Sequence, residues 1–300
     1  MTRPDTLRLA VAQPRFVGGD ESERNVDVAE ALIARAAADG ADLILFPEGC
    51  PGPTLRQPQD TYDPTDRMEA AAATHGIVVV WSRMERCADG RFRLVVYAVE
   101  RDGTTVLRYE RAHPATIPVA DEGHGVWTAP GPELCPLVEL AGVPMSVVVC
   151  SELWVPESSR VQAVRGAEVL LSPAGGGFTS LSENWKAIVR VRAIENLCHV
   201  AMTDNIWRDE VGAATIAGPE RVLISSGTED LLVATLDLAR ARWLRAHDDS
   251  IVEPKGFESI PGLVRARRPE LYGELVAPAD DTFAFFDDPT ELVEASSGTG

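Results

Sequence analysis

The stretch SVVVCSELWVPESSRVQAVRGAEVLLSP, residues 146–173, contains the pattern that the rest of the chain repeats. It begins with a valine run that ends at Cys150, which is typical of a buried strand. Pro156 follows at a favoured position for the first turn of a helix, and residues 168–172 form a second apolar run. A strand, a helix and another strand in this order predict an α/β layered domain.

The same alternation continues on both sides of this stretch. Residues 7–12 and 42–46 are predicted strands, and residues 25–38, whose apolar side chains recur at helical spacing, form a predicted helix between them. Residues 110–131 contain several Pro and Gly and are predicted to be irregular, which for a loop of this length often indicates a function. Further predicted elements are helices at 65–75 and 184–196, strands at 76–82, 134–140, 143–149 and 199–203, a hairpin of 91–100 with 104–109, and a hairpin-like region after residue 216.

The composition argues against several classes of protein. The chain has 300 residues, of which 45% are hydrophobic, so it can bury a full core in one large domain or at most two. With 28 Lys and Arg against 46 Asp and Glu, its formal net charge is −18. Such a surface repels phosphate backbones and anionic lipids, which argues against nucleic acid or membrane as the main partner and favours a small molecule or a protein.

The start of the chain and its cysteines bear on the compartment. Residues 1–14 lack the basic head, apolar block and cleavage site of a leader, and no apolar run reaches membrane-spanning length, so we expect a cytoplasmic protein. The 5 cysteines are scattered without a C-x-x-C pair, which predicts neither a disulfide framework nor a zinc site. The 5 histidines show no metal-ligand spacing, and we expect neither a metal nor an organic cofactor.

Two residues lie where proteins often perform chemistry. Cys150 is on the predicted turn between a buried strand and a helix, where backbone N–H groups can receive an oxyanion, although a cysteine that only packs in the core fits the segment as well. Glu48 follows the apolar strand 42–46, and partial desolvation suits such a carboxylate to proton transfer. The alternative for Glu48 is a strand-end carboxylate that accepts hydrogen bonds from loop N–H groups. Neither residue identifies a function by itself.

In combination and in their order, these motifs resemble those of the carbon–nitrogen hydrolase family, the nitrilase superfamily of amidases, nitrilases and carbamoylases. The resemblance spans residues 7–272 and rests on several independent segments. They are similar to the opening strand, the first catalytic motif, the cysteine motif, the following helix and a tail motif of the family: LAVAQP (9–14), DLILFPEG (42–49), VVVCSELWVPE (147–157), VRAIEN (191–196) and RRPELY (267–272).

The resemblance implies the architecture of the chain. We expect an α/β fold of the nitrilase type, a four-layer α-β-β-α sandwich. Residues 1–275 are then the carbon–nitrogen hydrolase domain, and residues 276–300 are an acidic C-terminal tail that is expected to be partly disordered. The resemblance also implies a homodimer or a higher homo-oligomer, in which residues 267–272 reach the neighbouring subunit.

A Glu–Lys–Cys catalytic triad is implied as well, and here the sequence departs from the family. Glu48 and Cys150 match two members of the triad, but Arg111, in the segment RYERAHP, occupies the position of the lysine. The two lysines of the chain, Lys186 and Lys255, lie elsewhere. An arginine can supply positive charge to an oxyanion but cannot lose a proton, so the effect of the change depends on what the triad lysine does.

The same resemblance adds further site residues. Glu122 is the candidate for a fourth, supporting carboxylate, and Asp121 is its substitute; a solvated loop acid is the alternative for both. The backbone N–H after Cys150 suits an oxyanion hole because the turn fixes a main-chain donor in place. Plain packing is the alternative role for the aromatic residues near it. The candidates for substrate contact are Ser151, Trp154, Trp127 and Ala174.

The resemblance implies a cysteine-dependent hydrolase that cleaves a non-peptide C–N bond of a small molecule through a thioester. The bond would lie in an amide, a nitrile or an N-carbamoyl group. Two alternatives stay open. Without the triad lysine, the chain could be a catalytically altered homologue that acts as a binding or regulatory protein. It could also be an acyltransferase that passes the acyl group to an amine instead of water.

Overall fold

Strands dominate the centre of the computed structural model, which describes residues 3–53, 62–86, 92–114, 118–121, 124–176, 179–250 and 256–277. The helices are α1 (Arg24–Ala38), α2 (Thr65–His75), α3 (Pro156–Arg165), α4 (Ser182–Asn196) and α5 (Leu238–Ala246). The strands are β1 (Thr6–Ala12), β2 (Leu43–Leu45), β3 (Val78–Arg86), β4 (Phe92–Val99), β5 (Thr105–Glu110), β6 (Pro118–Asp121), β7 (His124–Trp127), β8 (Val138–Leu140), β9 (Val143–Val147), β10 (Val169–Ala174), β11 (His199–Asp204), β12 (Ala214–Ala217), β13 (Val222–Ser226) and β14 (Leu231–Asp237).

Two six-stranded sheets have closely related topologies. The first has the order β14-β1-β2-β3-β4-β5, and the second has the order β13-β12-β11-β10-β9-β8. Three neighbouring strands of each sheet run parallel to one another. They are β1, β2 and β3 in the first sheet, and β9, β10 and β11 in the second. The remaining pairs are antiparallel. Parallel strands of one sheet end at the same edge, and this arrangement positions the site described below.

Side chains of the first sheet alternate between two apolar clusters. Leu9 and Val11 belong to the cluster that also contains the second sheet, whereas Ala10 and Ala12 belong to the cluster that contains α1 and α2. Successive side chains of a strand point to opposite faces, so one sheet can serve both layers. On the far side, α4 packs on the second sheet, and α3 packs against α4. The α/β fold with four layers in the order α-β-β-α is thereby confirmed.

Several predicted elements differ from those observed. The predicted strand 134–140 is shortened to β8, because Pro136 has no N–H for a ladder and the carbonyl of Cys135 accepts side-chain bonds from Gln162 and Arg165 instead. Residues 118–127, predicted to be irregular, contain the short hairpin β6–β7. The hairpin-like region after residue 216 is β12 to β14, but the helix α5 follows it, capped by the carboxylate of Asp237.

The described residues contain no helix that is both long enough and apolar enough to cross a lipid bilayer. Most of the predicted acidic tail, residues 278–300, lies outside the described residues, and so does the fifth cysteine, Cys87. The other four cysteines are free thiols buried in the protein. The domain boundary after residue 275 remains a prediction.

Helix α1 provides a test of the outer layer of the first sheet. Ile33 is fully buried against this sheet, whereas Val28 on the same helix is 37% exposed. We expect Ile33→Ala to lower the free energy of unfolding by about 2–5 kcal/mol, because it removes buried methyl groups and leaves a cavity. The matched control Val28→Ala is expected to change it by less than about 0.5 kcal/mol. Denaturant unfolding measures both, and equal effects would contradict the layer assignment.

Candidate active site

Strand ends from both sheets meet at one place. Glu48 comes shortly after β2 of the first sheet, and Cys150 and Asn205 come after β9 and β11 of the second. The backbone N–H of Glu48 donates to the carbonyl of Ala174 at 3.1 Å, and Asn205 Nδ2 donates to the carbonyl of Glu48 at 2.9 Å. The second sheet therefore fixes the backbone that carries Glu48, and the two sheets share one site.

Arg111 reaches the same place from the end of β5. Its backbone is held on both sides, because its N–H donates to the carbonyl of Leu94 at 2.9 Å and its carbonyl accepts from Gly131 at 2.7 Å. A side chain at position 131 would overlap the carbonyl of Glu110, so the close approach requires glycine there. The side chain of Arg111 is only 2% exposed. It is thus anchored at its base and buried along its length.

The guanidinium of Arg111 links two of the predicted site residues. Nη1 donates to Glu48 Oε1 at 2.6 Å, and Nη2 donates to Ser151 Oγ at 2.5 Å. Burial lowers the pKa of Arg111, but the negative charge of Glu48, followed by Cys150 and Glu152, outweighs this and leaves the pKa above its usual value. Arg111 is therefore a permanent cation inside the protein.

Cys150 begins a short 3-10 turn, Cys150–Trp154, and its φ of 50° lies in the left-handed region that few residues other than glycine adopt. Burial raises the pKa of its thiol to about 12, and the charge of Glu48 and a hydrogen bond with that carboxylate act in the same direction. The charge of Arg111 and the N–H of Gly175 partly oppose them. At neutral pH the group is a thiol that faces a carboxylate and a cation.

Glu152, two residues after Cys150, was not among the site residues predicted from the sequence. Its buried carboxylate accepts hydrogen bonds from the backbone N–H of Val149 at 2.7 Å and of His113 at 2.8 Å, and from Tyr109 Oη at 3.0 Å. Burial by itself raises the pKa of Glu152, but the proximity of the His113 imidazole, the charge of Arg111 and the backbone N–H of His113 outweigh it, and the pKa lies below its usual value. This carboxylate joins the cysteine turn to the end of β5.

The sequence does contain a signal for Glu152, because it is an acidic residue inside the apolar segment VVVCSELW. A buried carboxylate needs hydrogen-bond partners or a cation, so its presence there indicates a polar site. Asn205 was also missed. Its place after a predicted strand was visible, but its bond to the carbonyl of Glu48 joins residues 157 positions apart and could not be read from the sequence.

The predicted substrate-contact residues have different surroundings. The side chain of Ser151 is engaged by Arg111, and that of Ala174 is fully buried. Trp154 is 37% exposed and packs edge-on against Trp185, with 5.4 Å between the ring centroids. Trp127 ends β7, and its side chain, like that of Asp121 in β6, lies outside the described part of the structure. Glu122 lies outside it entirely.

The arrangement can carry out nucleophilic chemistry. A thiol that contacts a carboxylate can transfer its proton as the sulfur attacks an electrophilic carbon, and a fixed cation can stabilise the negative charge that develops. Among the residues that the structure describes, no group of three or more His, Cys, Asp or Glu side chains is arranged to hold a metal ion.

Comparisons with known proteins identify the family of the chain. The sequence profile of the family described as "Carbon-nitrogen hydrolase" matches residues 8–246. The chain is 27% identical to the N-carbamoylputrescine amidase of Oryza sativa subsp. japonica, over 90% of this chain and 95% of that protein. It is 25% identical to the deaminated glutathione amidase of Escherichia coli O157:H7, over 79% of this chain and 94% of that protein.

A solved structure shares the fold. It is a glutamate-to-glutamine mutant of the amidase from Nesterenkonia sp. AN1, described as showing covalent addition of the acetamide moiety of fluoroacetamide at the active-site cysteine. The TM-score is 0.71 and the sequence identity 22%, and the match covers 92% of this chain and 100% of that chain. The family profile covers well over half of the chain, and the two relatives named above are amidases. The chain is therefore a hydrolytic enzyme of the amidase/nitrilase type and belongs to the carbon–nitrogen hydrolase family.

Proposed function

We propose that the protein hydrolyses a non-peptide C–N bond of a small molecule through a thioester on Cys150. The observation that carries the proposal is the convergence of three groups from distant parts of the chain. The guanidinium of Arg111 contacts the carboxylate of Glu48, and both act on the pKa of the Cys150 thiol. A thiol, a base and a cation at one strand edge are the groups that acyl transfer requires.

In the first step, Glu48 accepts the thiol proton while Cys150 Sγ forms a bond to the carbonyl carbon. Because the thiol has a pKa of about 12, little thiolate is present at rest, and proton transfer accompanies the attack. The carbonyl oxygen becomes an oxyanion. Arg111 and the backbone N–H of Ser151 are the proposed donors to it. A nitrile would develop its negative charge on nitrogen in the same place, and water would have to add to the resulting thioimidate before ammonia could leave.

In the second step, the protonated Glu48 returns its proton to the departing nitrogen, the C–N bond breaks, and ammonia or an amine leaves the thioester. Water then attacks the thioester carbon while Glu48 accepts one of its protons. The C–S bond breaks, Glu48 returns the proton to the sulfur, and a carboxylic acid is released, or a carbamic acid where the substrate is an N-carbamoyl amine. Since an arginine does not lose its proton at any working pH, Glu48 carries every proton transfer in this proposal.

The relatives favour two classes of substrate. Their names describe amidases, one of which acts on an N-carbamoyl amine. We therefore propose an amide or an N-carbamoyl group as the bond that is cleaved, with a nitrile as the less supported option. The cysteine adduct described for the Nesterenkonia amidase supports a covalent route for a protein of this fold. Glu122, Trp127, Trp154 and Ala174 remain proposed site residues, and a homodimer remains the proposed assembly.

Trapping of the covalent intermediate tests the reaction. The protein is incubated with a panel of simple amides, nitriles and N-carbamoyl amines. The reaction is quenched with acid, and the mass of the intact protein is measured by mass spectrometry. We expect at least one compound to add the mass of its acyl group to the wild type but not to Cys150→Ala. The control Cys198→Ala, which removes a thiol buried away from the site, should still form the adduct. No adduct with any class would favour a binding or regulatory protein, and an adduct that decays only after addition of an amine would favour an acyltransferase.

Glu48→Gln separates the two effects of this carboxylate. Loss of the general base is expected to lower amide turnover about 10²- to 10⁴-fold. The same change removes a negative charge that raises the pKa of the Cys150 thiol, so the thiolate fraction at pH 7–9 should rise and alkylation by iodoacetamide should become faster. Turnover assays and mass spectrometry measure the two rates.

The control for this experiment is Glu157→Gln, which replaces an exposed acidic residue on α3. It should change both rates by less than about twofold, as expected for a surface substitution. Thermal unfolding reports whether Glu48→Gln folds, and a folded variant whose alkylation slows together with its turnover would contradict the assigned role of Glu48.

A further inference from the structure

The hydroxyl of Ser151 makes a contact that the position of this residue next to Cys150 does not by itself suggest. It accepts a hydrogen bond from Arg111 Nη2 at 2.5 Å, across 40 positions of sequence. Its backbone directly follows that of the cysteine. The side chain of the residue after the nucleophile therefore engages the cation of the site instead of pointing to a substrate.

Two hydrogen bonds define the orientation of the guanidinium. Nη1 is bonded to Glu48 Oε1 and Nη2 to Ser151 Oγ, while Nε has no hydrogen-bond partner among the described residues. With the contact to Glu48 alone, the planar group could pivot about one nitrogen. The second bond fixes the plane, because the two terminal nitrogens are held in different directions.

The length of the Ser151 side chain matches an arginine at position 111. Because Oγ is already within 2.5 Å of Nη2, a longer side chain at position 151 would occupy the space of the guanidinium. A lysine at 111 has one nitrogen, which can reach Glu48 but lacks the fork that spans both partners. Ser151 and Arg111 are thus complementary.

We propose that Ser151 is a positioning residue for Arg111 and that the hydroxyl of Ser151 holds the guanidinium at a fixed place relative to the sulfur of Cys150. This proposal rests on the proposed function, in which Arg111 stabilises negative charge. The bond ties the cation to the residue next to the nucleophile. The separation of charge and sulfur then depends on this local contact as well as on the packing between β5 and the second sheet.

A double-mutant cycle on thiol reactivity tests the proposal without a known substrate. The rate of Cys150 alkylation by iodoacetamide is measured from pH 6 to 10 by intact mass in wild type, Ser151→Ala, Arg111→Lys and the double variant. Arg111 lowers the pKa of the thiol, so a misplaced guanidinium should shift the rate profile to higher pH. We expect Ser151→Ala to slow alkylation about tenfold to a hundredfold at pH 8, since its hydrogen bond is to a charged group.

In the Arg111→Lys background, Ser151→Ala should change the rate less than about twofold, because the fork that Ser151 holds is gone. Ser151→Thr, which keeps the hydroxyl, should restore most of the wild-type profile. The matched control is Ser158→Ala on α3, a buried serine whose hydroxyl has no hydrogen-bond partner among the described residues and whose loss should leave the profile unchanged. Thermal unfolding of each variant reports whether it folds.

Equal effects of Ser151→Ala in the two backgrounds, or a pH profile that Ser151→Ala does not shift, would overturn the proposal. If Arg111→Lys does not fold, the profiles of Ser151→Ala and Ser151→Thr still decide, because the proposal requires a shift with alanine and its recovery with threonine. Alkylation needs no amide turnover. Failure to form any acyl adduct would therefore contradict the proposed function, while the coupling of Ser151 with Arg111 would be measured independently.

Discussion

The buried ion pair between Arg111 and Glu48 is the contact on which the site depends. Both side chains are almost inaccessible to water, so the pair must recover the large cost of desolvating two charges. It does so because each partner has further bonds: Arg111 donates also to Ser151, and the backbone of Glu48 is held by Ala174 and Asn205. Removal of either charge would leave the other buried and unpaired, which links the stability of this region to its chemistry.

The two-sheet architecture makes this pair possible. Glu48 and Cys150 lie after parallel strands of different sheets, and the apolar core between the sheets fixes the distance between those strand ends. The turn at Cys150 adopts a left-handed conformation, which the surrounding bonds must maintain because it is unfavourable for a cysteine. Glu152 supplies part of that support, since its carboxylate accepts hydrogen bonds from Val149, which directly precedes the turn, and from residues at and after the end of β5.

In the proposed mechanism Arg111 occupies the position that the family resemblance implies for a lysine, and charge stabilisation and proton transfer then belong to different residues. A permanent cation favours the negative charges of carboxylate and oxyanion but takes no part in proton transfer. Proton transfer is then assigned to Glu48 alone, and the thiol stays protonated until a substrate is attacked. The hydroxyl of Ser151 completes this arrangement, because it gives the second end of the guanidinium a fixed partner that a lysine would not need.

The sequence by itself determined the alternation of strands and helices, the positions of Glu48 and Cys150 at strand ends, and, through family resemblance, the place of Arg111. Apolar periodicity and turn residues encode such features locally. Only the tertiary structure decided that Ser151 binds the guanidinium and that the carboxylate of Glu152 is satisfied by His113 and other donors, because these hydrogen bonds join residues about 40 positions apart. The local sequence pattern shows which side chains are polar, but the packing of the two sheets decides which of these side chains are in contact.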